Sequence, residues 1–318
     1  MNKIVIAGAG TFGTSVAERL AWNLDNRVFL HTIEKEVASD IQKNHKNTKY
    51  FPTRFINQSI QATTSYDVFS DADVIMLVIP SKAIVSFSLE MKKHTQRNPL
   101  VINLAKGMSD DGAFITEKIP FSRTASMKGP SFAIETLNGF PTAFTFGGKR
   151  ADYDYFKSKV LPSTGFSLDY SRDVRAVELA SILKNMYAIA IGLVSGRYNS
   201  PNVDFLVYTK AVNEMRGLLH MFECDEETIF RYCGIGDLGL TSLNDLSRNR
   251  TFGMLIGKGF SYDEKSGATV IEGKRTIRLI GEIVAKNKRE EEFPLVMSLY
   301  KLMYESSSLN DYITAALS

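Results

Sequence analysis

Lys184 is the residue of this chain whose surroundings most suggest chemistry. It lies in VELASILKNMYAIAIG, residues 177–192, a stretch apolar almost all the way round and therefore expected to be a helix inside a domain. At about 100° per residue, Glu178, Ser181, Lys184 and Asn185 fall on one arc of roughly 120°, a polar stripe down a buried helix. A buried ammonium is costly unless paired, and lysines so placed suit acid–base work. On this helix alone, a lysine that snorkels to the surface is the competing reading. Further along, residues 233–250 read as a glycine-rich loop that brings Asp237 and Thr241, then Ser247-Arg248-Asn249, up to the apolar-periodic TFGMLIGKG. Ser247 can cap that helix, and the helix start together with Arg248 forms a phosphate seat, against the simpler reading of a capped surface helix with a solvated arginine. VIEGKRT (270–276) offers Glu272 as a cap or ligand group.

A second kind of chemistry is written in glycine. Gly8-Ala9-Gly10-Thr11-Phe12-Gly13 follows the β-branched run KIVIA and opens a stretch with helical spacing. Gly8 permits a tight turn, Gly10 lets a pyrophosphate approach the backbone, and Gly13 lets helix and strand pack closely. The helix start behind the turn offers N–H groups to an anion. A lone motif of this kind is weak, but here it has the strand–turn–helix context it requires. The next strand, RVFLH, ends at His31 and Thr32, with Glu34 and Lys35 slightly late, so no choice between NAD and NADP follows. His31, beside the turn, is the one histidine of four in a plausible site. No histidine stands where an alcohol dehydrogenase would use one as its acid, so Lys184 is the best-placed proton donor. No metal-ligand spacing and no nucleophile elbow occur.

These groups have to be carried by two kinds of structure. DVIMLVIP (73–80) and PLVINLAKG (99–107) are continuous apolar strands whose carboxyl ends put Pro80, Asn103, Lys106 and Gly107 at a ligand crevice, although Lys106 also reads as a solvated loop charge. Residues 127–132, MKGPSF, read as a turn that is either an anion nest or only a loop. PTAFTFGG (141–148) and GFSLDYS (165–171) complete the strands. Beyond about residue 173 helical spacing dominates, through 174–196, 203–223, 248–258, 272–289 and 293–305. The expected architecture is an α/β Rossmann-type N-terminal domain, 1–172, followed by an all-α C-terminal domain, 173–318, that holds substrate and catalyses.

The chain has 318 residues, enough for two domains, with 44% hydrophobic and 23% charged residues. A net charge of +3, with scattered basic residues, does not describe a nucleic-acid or membrane surface. Cys224 and Cys233 match no zinc or disulfide framework, which points to a reducing compartment. The first residues enter a strand at once, and the apolar run Met186 to Val194 is short for a membrane span, so a cytoplasmic protein without membrane insertion is expected.

Taken together, the chain resembles the NAD(P)-dependent glycerol-3-phosphate dehydrogenases, closest to the bacterial type. The resemblance rests on GAGTFGTSVA (8–17), NLAKG (103–107), KGPSFAIE (128–135) and VELASILKNMYAIAIG (177–192). GIGDLGLTS (234–242), SRNR (247–250), GKG (257–259) and VIEGK (270–274) follow in the same order. It implies reversible reduction of dihydroxyacetone phosphate, a small phosphorylated substrate, with NAD or NADP as cofactor, and supply of glycerol 3-phosphate for glycerophospholipid synthesis. It also implies a catalytic Lys184 with Lys106 and Asp237 near the reacting carbon. Gly129, Ser131, Ser247, Arg248 and Asn249 would line the substrate site. Thr11, Phe12, Lys106, Ala133, Arg248 and Glu272 would touch the cofactor, and Phe12 stands where the family usually has Trp. SGRYNSPNVDFLVYTK (195–210) departs from the pattern: with Asn202 aligned to the family Asn, Asp204 falls where Lys is expected and Lys210 where Arg is expected. Two alternatives stay open at this point: a related dehydrogenase for another phosphorylated ketose or hydroxy acid, and a non-catalytic dinucleotide sensor. A homodimer is left open as well.

Overall fold

The computed structural model describes residues 1–109, 112–260 and 271–318. Val270, the first residue of VIEGK, lies outside the described residues. The chain divides into two compact units, Met1–Val177 and Glu178–Ser318.

The first unit runs β1 (Asn2–Ala7), α1 (Thr11–Leu20), β2 (Asn26–His31), α2 (Lys35–Asn44), β3 (Gln61–Thr63), β4 (Val74–Leu77), α3 (Ser81–His94) and β5 (Leu100–Asn103). It continues with α4 (Ile115–Lys118), β6 (Thr124–Lys128), α5 (Ala133–Leu137), β7 (Thr142–Gly147), α6 (Arg150–Tyr155) and β8 (Phe166–Ser171). The eight strands form one sheet in the order β3-β2-β1-β4-β5-β6-β7-β8. All neighbours are parallel except β6 and β7. The first six positions reproduce the doubly wound dinucleotide-binding order, with its switch point between β1 and β4.

The central strands lack alternation because both of their faces are covered. Ile4 and Ile6 pack with Val74 and Met76 on one side. Val5 and Ala7 pack with Ile75 and Leu77 on the other. β3, three residues at the sheet edge, has no apolar run to announce it. β6 corrects the reading of 127–132 as a turn: Met127 and Lys128 are its last residues, paired antiparallel with Phe146 and Thr145.

The second unit opens within α7 (Val174–Tyr198) and continues with α8 (Pro201–Met221), α9 (Asp237–Ser242), α10 (Arg248–Gly257), α11 (Glu272–Lys286), α12 (Pro294–Tyr304) and α13 (Leu309–Leu317). α7 is long and apolar enough to cross a membrane by length and composition, but its most apolar stretch is wholly buried inside the protein. Its packing against α10 is unusually intimate. A Cβ added at Gly192 would lie 2.3 Å from the Arg250 carbonyl oxygen, and one at Gly196 2.4 Å from that of Met254. From the other side, a Cβ at Gly253 would lie 2.2 Å from the Ile189 oxygen and one at Gly257 2.1 Å from that of Leu193. Glycine on both helices lets the two backbones touch.

Glu214 of α8 ties the base of α12 in place. Its Oε1 accepts from Leu295 N at 2.6 Å, and its Oε2 accepts from Val296 N at 3.0 Å and from the Tyr187 hydroxyl of α7 at 3.0 Å. Burial pushes this carboxyl up to about 7, against the three donors that favour its charged form. The sequence reading stopped its helices at 305; α13 follows, started by a capping box between Ser308 and Asp311. α9 lies inside the stretch read as a loop.

Candidate active site

In the first unit the candidate cofactor site is the turn from β1 into α1. Gly8 has φ +114°, and a Cβ there would lie 2.5 Å from the Val78 oxygen. Gly13 is tighter still, since its Cβ would lie 1.9 Å from the Gly8 oxygen. A Cβ at Gly10 would meet nothing within 4 Å. The first and third glycines are thus required by packing, while the second leaves open the side on which a pyrophosphate approaches, so the residues present fit a dinucleotide. α1 begins with no side-chain cap, which leaves its first N–H groups to an anion.

Thr11 is exposed, and Phe12 is half-buried against Phe144 with ring centroids 6.5 Å apart. Ser15 donates to the carbonyl oxygen of Ala133 at 2.7 Å and so holds the start of α5 beside α1. His31 is turned away from solvent: it is 2% exposed and packs against Tyr66, Phe69 and Phe87. Burial lowers its basicity.

Lys106 sits in a loop after β5 that is fixed residue by residue. The Asn103 side chain accepts from Ala105 N at 3.0 Å. Gly107 has φ +138°, a region other residues rarely adopt. Lys128, itself buried, donates to the carbonyl oxygens of Asn103 at 2.9 Å and Ala105 at 2.6 Å. Sequence reasoning gave Lys128 no role, because a lysine ending a strand carries no sign of which carbonyls it will meet. Gly129 follows it at a point where a Cβ would lie 2.2 Å from the Ala143 oxygen, and Ser131 donates to the Gly129 oxygen at 3.1 Å.

In the second unit the polar stripe of α7 is buried as expected, Glu178, Ser181, Lys184 and Asn185 alike. Lys184 does not snorkel. It is 3% exposed, and its Nζ donates to Asp237 Oδ1 at 2.6 Å and to Thr241 Oγ1 at 2.6 Å. Asp237 opens α9 and Thr241 stands four residues on, so one helical face presents both to the ammonium. Such a pair is tolerated in the interior because the charge is matched and hydrogen-bonded.

Asn185, the next residue of α7, holds a second group. It donates to Glu272 Oε2 at 3.4 Å and accepts from Asn249 Nδ2 at 3.1 Å, and Asn249 Oδ1 accepts from Gly273 N at 3.1 Å. Ser247 caps α10 as expected, its hydroxyl accepting from Arg250 N at 3.3 Å. Arg248, the first residue of α10, is exposed. The second unit therefore holds two hydrogen-bonded groups on adjacent residues of α7, Lys184 with Asp237 and Thr241, and Asn185 with Asn249 and Glu272, with Arg248 next to Asn249 in the chain. Thr241 and Asn185 were visible beforehand only as members of a loop and a stripe.

The departure at 195–210 has a local answer. Asp204 Oδ1 accepts from the Ser195 hydroxyl at 2.6 Å, and that hydroxyl accepts from Arg250 Nη1 at 2.8 Å. The acidic residue thus faces an arginine through one hydroxyl. Lys210, the other replaced position, lies near enough to Glu214 to favour its charged form.

A doubly wound sheet with a glycine turn fitted to a dinucleotide, and a helical unit that buries a lysine against an aspartate, define a two-part NAD(P)-dependent oxidoreductase. Residues 3–154 match the N-terminal part, and residues 173–314 the C-terminal part, of the NAD-dependent glycerol-3-phosphate dehydrogenases. The chain belongs to this family. A glycerol-3-phosphate dehydrogenase [NAD(P)+] of Methanothermobacter thermautotrophicus is 31% identical over 98% of this chain and 96% of its own. One from Zymomonas mobilis is 30% identical over 100% of this chain and 93% of its own. The crystal structure of glycerol-3-phosphate dehydrogenase from Coxiella burnetii superposes with a TM-score of 0.87, at 25% identity, covering 100% of this chain and 99% of that one.

Proposed function

We propose that the chain interconverts dihydroxyacetone phosphate and sn-glycerol 3-phosphate, with NAD or NADP as cofactor, and that Lys184 is its acid–base group. The observation that carries the assignment of Lys184 is its burial in hydrogen-bond contact with both Asp237 and Thr241. Bound NAD(P)H supplies the hydride to the ketone carbon. As the C–O double bond becomes a single bond, charge gathers on oxygen, and the Lys184 ammonium polarises that oxygen and gives it a proton. In oxidation the same nitrogen, as the amine, takes the proton back. Asp237 and Thr241 each accept from Nζ and so hold it in place.

Lys106 is assigned a second positive charge for the developing alkoxide, with Lys128 holding its loop. The substrate phosphate is assigned to Arg248 and the start of α10, helped by Ser247 and Asn249. Gly129 and Ser131 are assigned to the substrate as well. Thr11, Phe12, His31, Ala133 and Glu272 are assigned to the cofactor; for His31 the role is indirect, because its ring is enclosed and only its carbonyl reaches the turn, at Gly8 N, 2.8 Å.

Domain roles are assigned on the same footing: residues 1–172 chiefly bind the dinucleotide, and 173–318 chiefly bind substrate and catalyse. The buried Cys224 and Cys233 and the buried α7 support a cytoplasmic location. The product would feed glycerophospholipid synthesis. Neither alternative gains support, since a sensor has no use for a buried lysine held for proton transfer. Initial rates with dihydroxyacetone phosphate and either NADH or NADPH test the proposal; no turnover with either would overturn it.

A further inference from the structure

We infer that the Lys49–Glu34 ion pair is the element that lets this chain accept both dinucleotides: Lys49 leaves Glu34 for the 2′-phosphate of NADP(H), and Glu34 receives the ribose 2′-hydroxyl of NAD(H). The inference rests on the assignment of the Gly8–Gly13 turn to the dinucleotide.

Two segments are bonded to that turn. Gly8 N donates to the His31 oxygen at 2.8 Å, which sets the residues after β2 beside it. Asn47 Nδ2 donates to the Ala9 oxygen at 2.8 Å and to Thr14 Oγ1 at 2.8 Å, which sets residues 47–50 beside it as well. In sheets of this class the adenine ribose lies at the end of the second strand, where an acid reads the 2′-hydroxyl or a cation holds a 2′-phosphate. The first two residues there carry neither. Thr32 is buried, its Oγ1 accepting from Glu34 N at 3.1 Å, and Ile33 is an exposed hydrocarbon.

The first charge is Glu34, and Lys49 is bonded to it across the gap between the two segments. Of the other charges nearby, Lys35 and Glu36 are in the first turn of α2, and Lys46 lies over the Phe55 ring.

The pair is built to exchange. Lys49 is 58% exposed, and an ion pair between such side chains is weak, so a dianion can draw the ammonium away at small cost. Glu34 does not depend on Lys49 for its position, because the Tyr50 hydroxyl donates to its Oε1 at 2.8 Å. One carboxylate and one mobile ammonium therefore present either an acceptor or a cation, and discrimination between the two cofactors is small.

Calorimetric titration of NADH, NADPH, ADP and 2′,5′-ADP into the wild-type chain, Lys49→Met and Glu34→Gln tests this without turnover. Wild type should bind NADH and NADPH within about a hundredfold of each other. Lys49→Met should weaken NADPH and 2′,5′-ADP by about tenfold or more while moving NADH and ADP less than about threefold. Glu34→Gln should weaken NADH by a few-fold and leave NADPH equal or tighter, since Lys49 is then unpaired. Equal losses for both cofactors in Lys49→Met, or no change in either, would overturn the inference. Wild-type binding of both dinucleotides without reduction of dihydroxyacetone phosphate would sink the proposed reaction alone; binding of neither would sink both.

Discussion

In the first unit the turn proposed for the dinucleotide presents backbone. A turn of three glycines offers N–H groups and an open side at Gly10, and Gly8 and Gly13 are shaped by what a Cβ would strike. In the second unit the proposed catalytic group is built of side chains, and buried ones. Lys184 is held by residues 53 and 57 positions away, and Asn185 reaches one 87 positions away. A cradle made of backbone depends first on its glycines. A site made of buried charge depends on every partner, because an ion left without its counter-charge in the interior costs about 3–5 kcal/mol.

Removing the ammonium should break the second unit's site most severely. Lys184→Met is expected to lower turnover by about 10²–10⁴-fold through lost acid catalysis alone, with NADH affinity little changed. Stopped-flow reduction alongside NADH titration checks it, and retention of more than about a tenth of wild-type turnover would remove Lys184 from the mechanism. Asp237, left buried without the ammonium's counter-charge, should also lower stability in this variant, and adding Asp237→Asn should recover part of that loss without recovering turnover.

Next in size is a pH effect that belongs to the second unit. Glu214 holds its proton up to about 7 when folded, whereas an ordinary glutamate releases it near 4.5. The folded state therefore binds more protons between these values. The stability this group contributes is fully present below about pH 4.5 and is lost as pH rises to about 7, by roughly 3 kcal/mol. Urea melts at pH 5 and pH 7.5 should show this fall, and Glu214→Gln should flatten it while costing about 1–3 kcal/mol in misdirected hydrogen bonds. An unchanged slope in the variant would assign the pH dependence elsewhere.

Arg248→Ala should raise KM for dihydroxyacetone phosphate by about tenfold or more, as loss of one or two charge-assisted bonds implies, with a smaller loss of cofactor affinity. Activity on unphosphorylated dihydroxyacetone should move far less. Equal effects on the two substrates would make Arg248 a cofactor or structural residue.

The smallest expected effects sharpen the backbone side of the contrast. Gly13→Ala forces a Cβ against the Gly8 carbonyl and should cost about 1–3 kcal/mol of stability. Gly10→Ala meets open space, so stability should stay within about 1 kcal/mol while NADH binding weakens several-fold. If Gly10→Ala bound NADH normally, the turn would be a packing device and not a ligand cradle.

This contrast also governs what could be read from the sequence. The glycine turn, the continuous strands around it and the cap at Ser247 are local, so spacing revealed them. The polar stripe on α7 was local too, and its burial followed from the apolar residues around it. Which partner would meet Lys184 was not local; Asp237 came from the resemblance, and Thr241 stood in what read as loop. β6 was misread because Lys128 and Gly129 look like a turn, whereas the lysine is buried by bonding to carbonyls after β5. His31 stood in a plausible site by position along its strand, but strand alternation turned its ring into the aromatic packing behind the sheet.

The contact between α7 and α10 has a consequence for how substrates of different length could be accommodated. Gly192 and Gly196 lie against the carbonyls of Arg250 and Met254, and Gly253 and Gly257 against those of Ile189 and Leu193, so at these points main chain meets main chain between the helix that carries Lys184 and the helix that begins at Arg248. Two helices spaced by side chains can slide or part when those side chains are exchanged. Two that touch at their backbones have no such shim. On the proposed assignment, the span from Lys184 to the start of α10 would act as a fixed gauge, cut to one distance between a carbonyl and an anion. Adapting this scaffold to a longer phosphorylated ketone would mean reworking the ends of the gauge, because its length offers nothing to adjust.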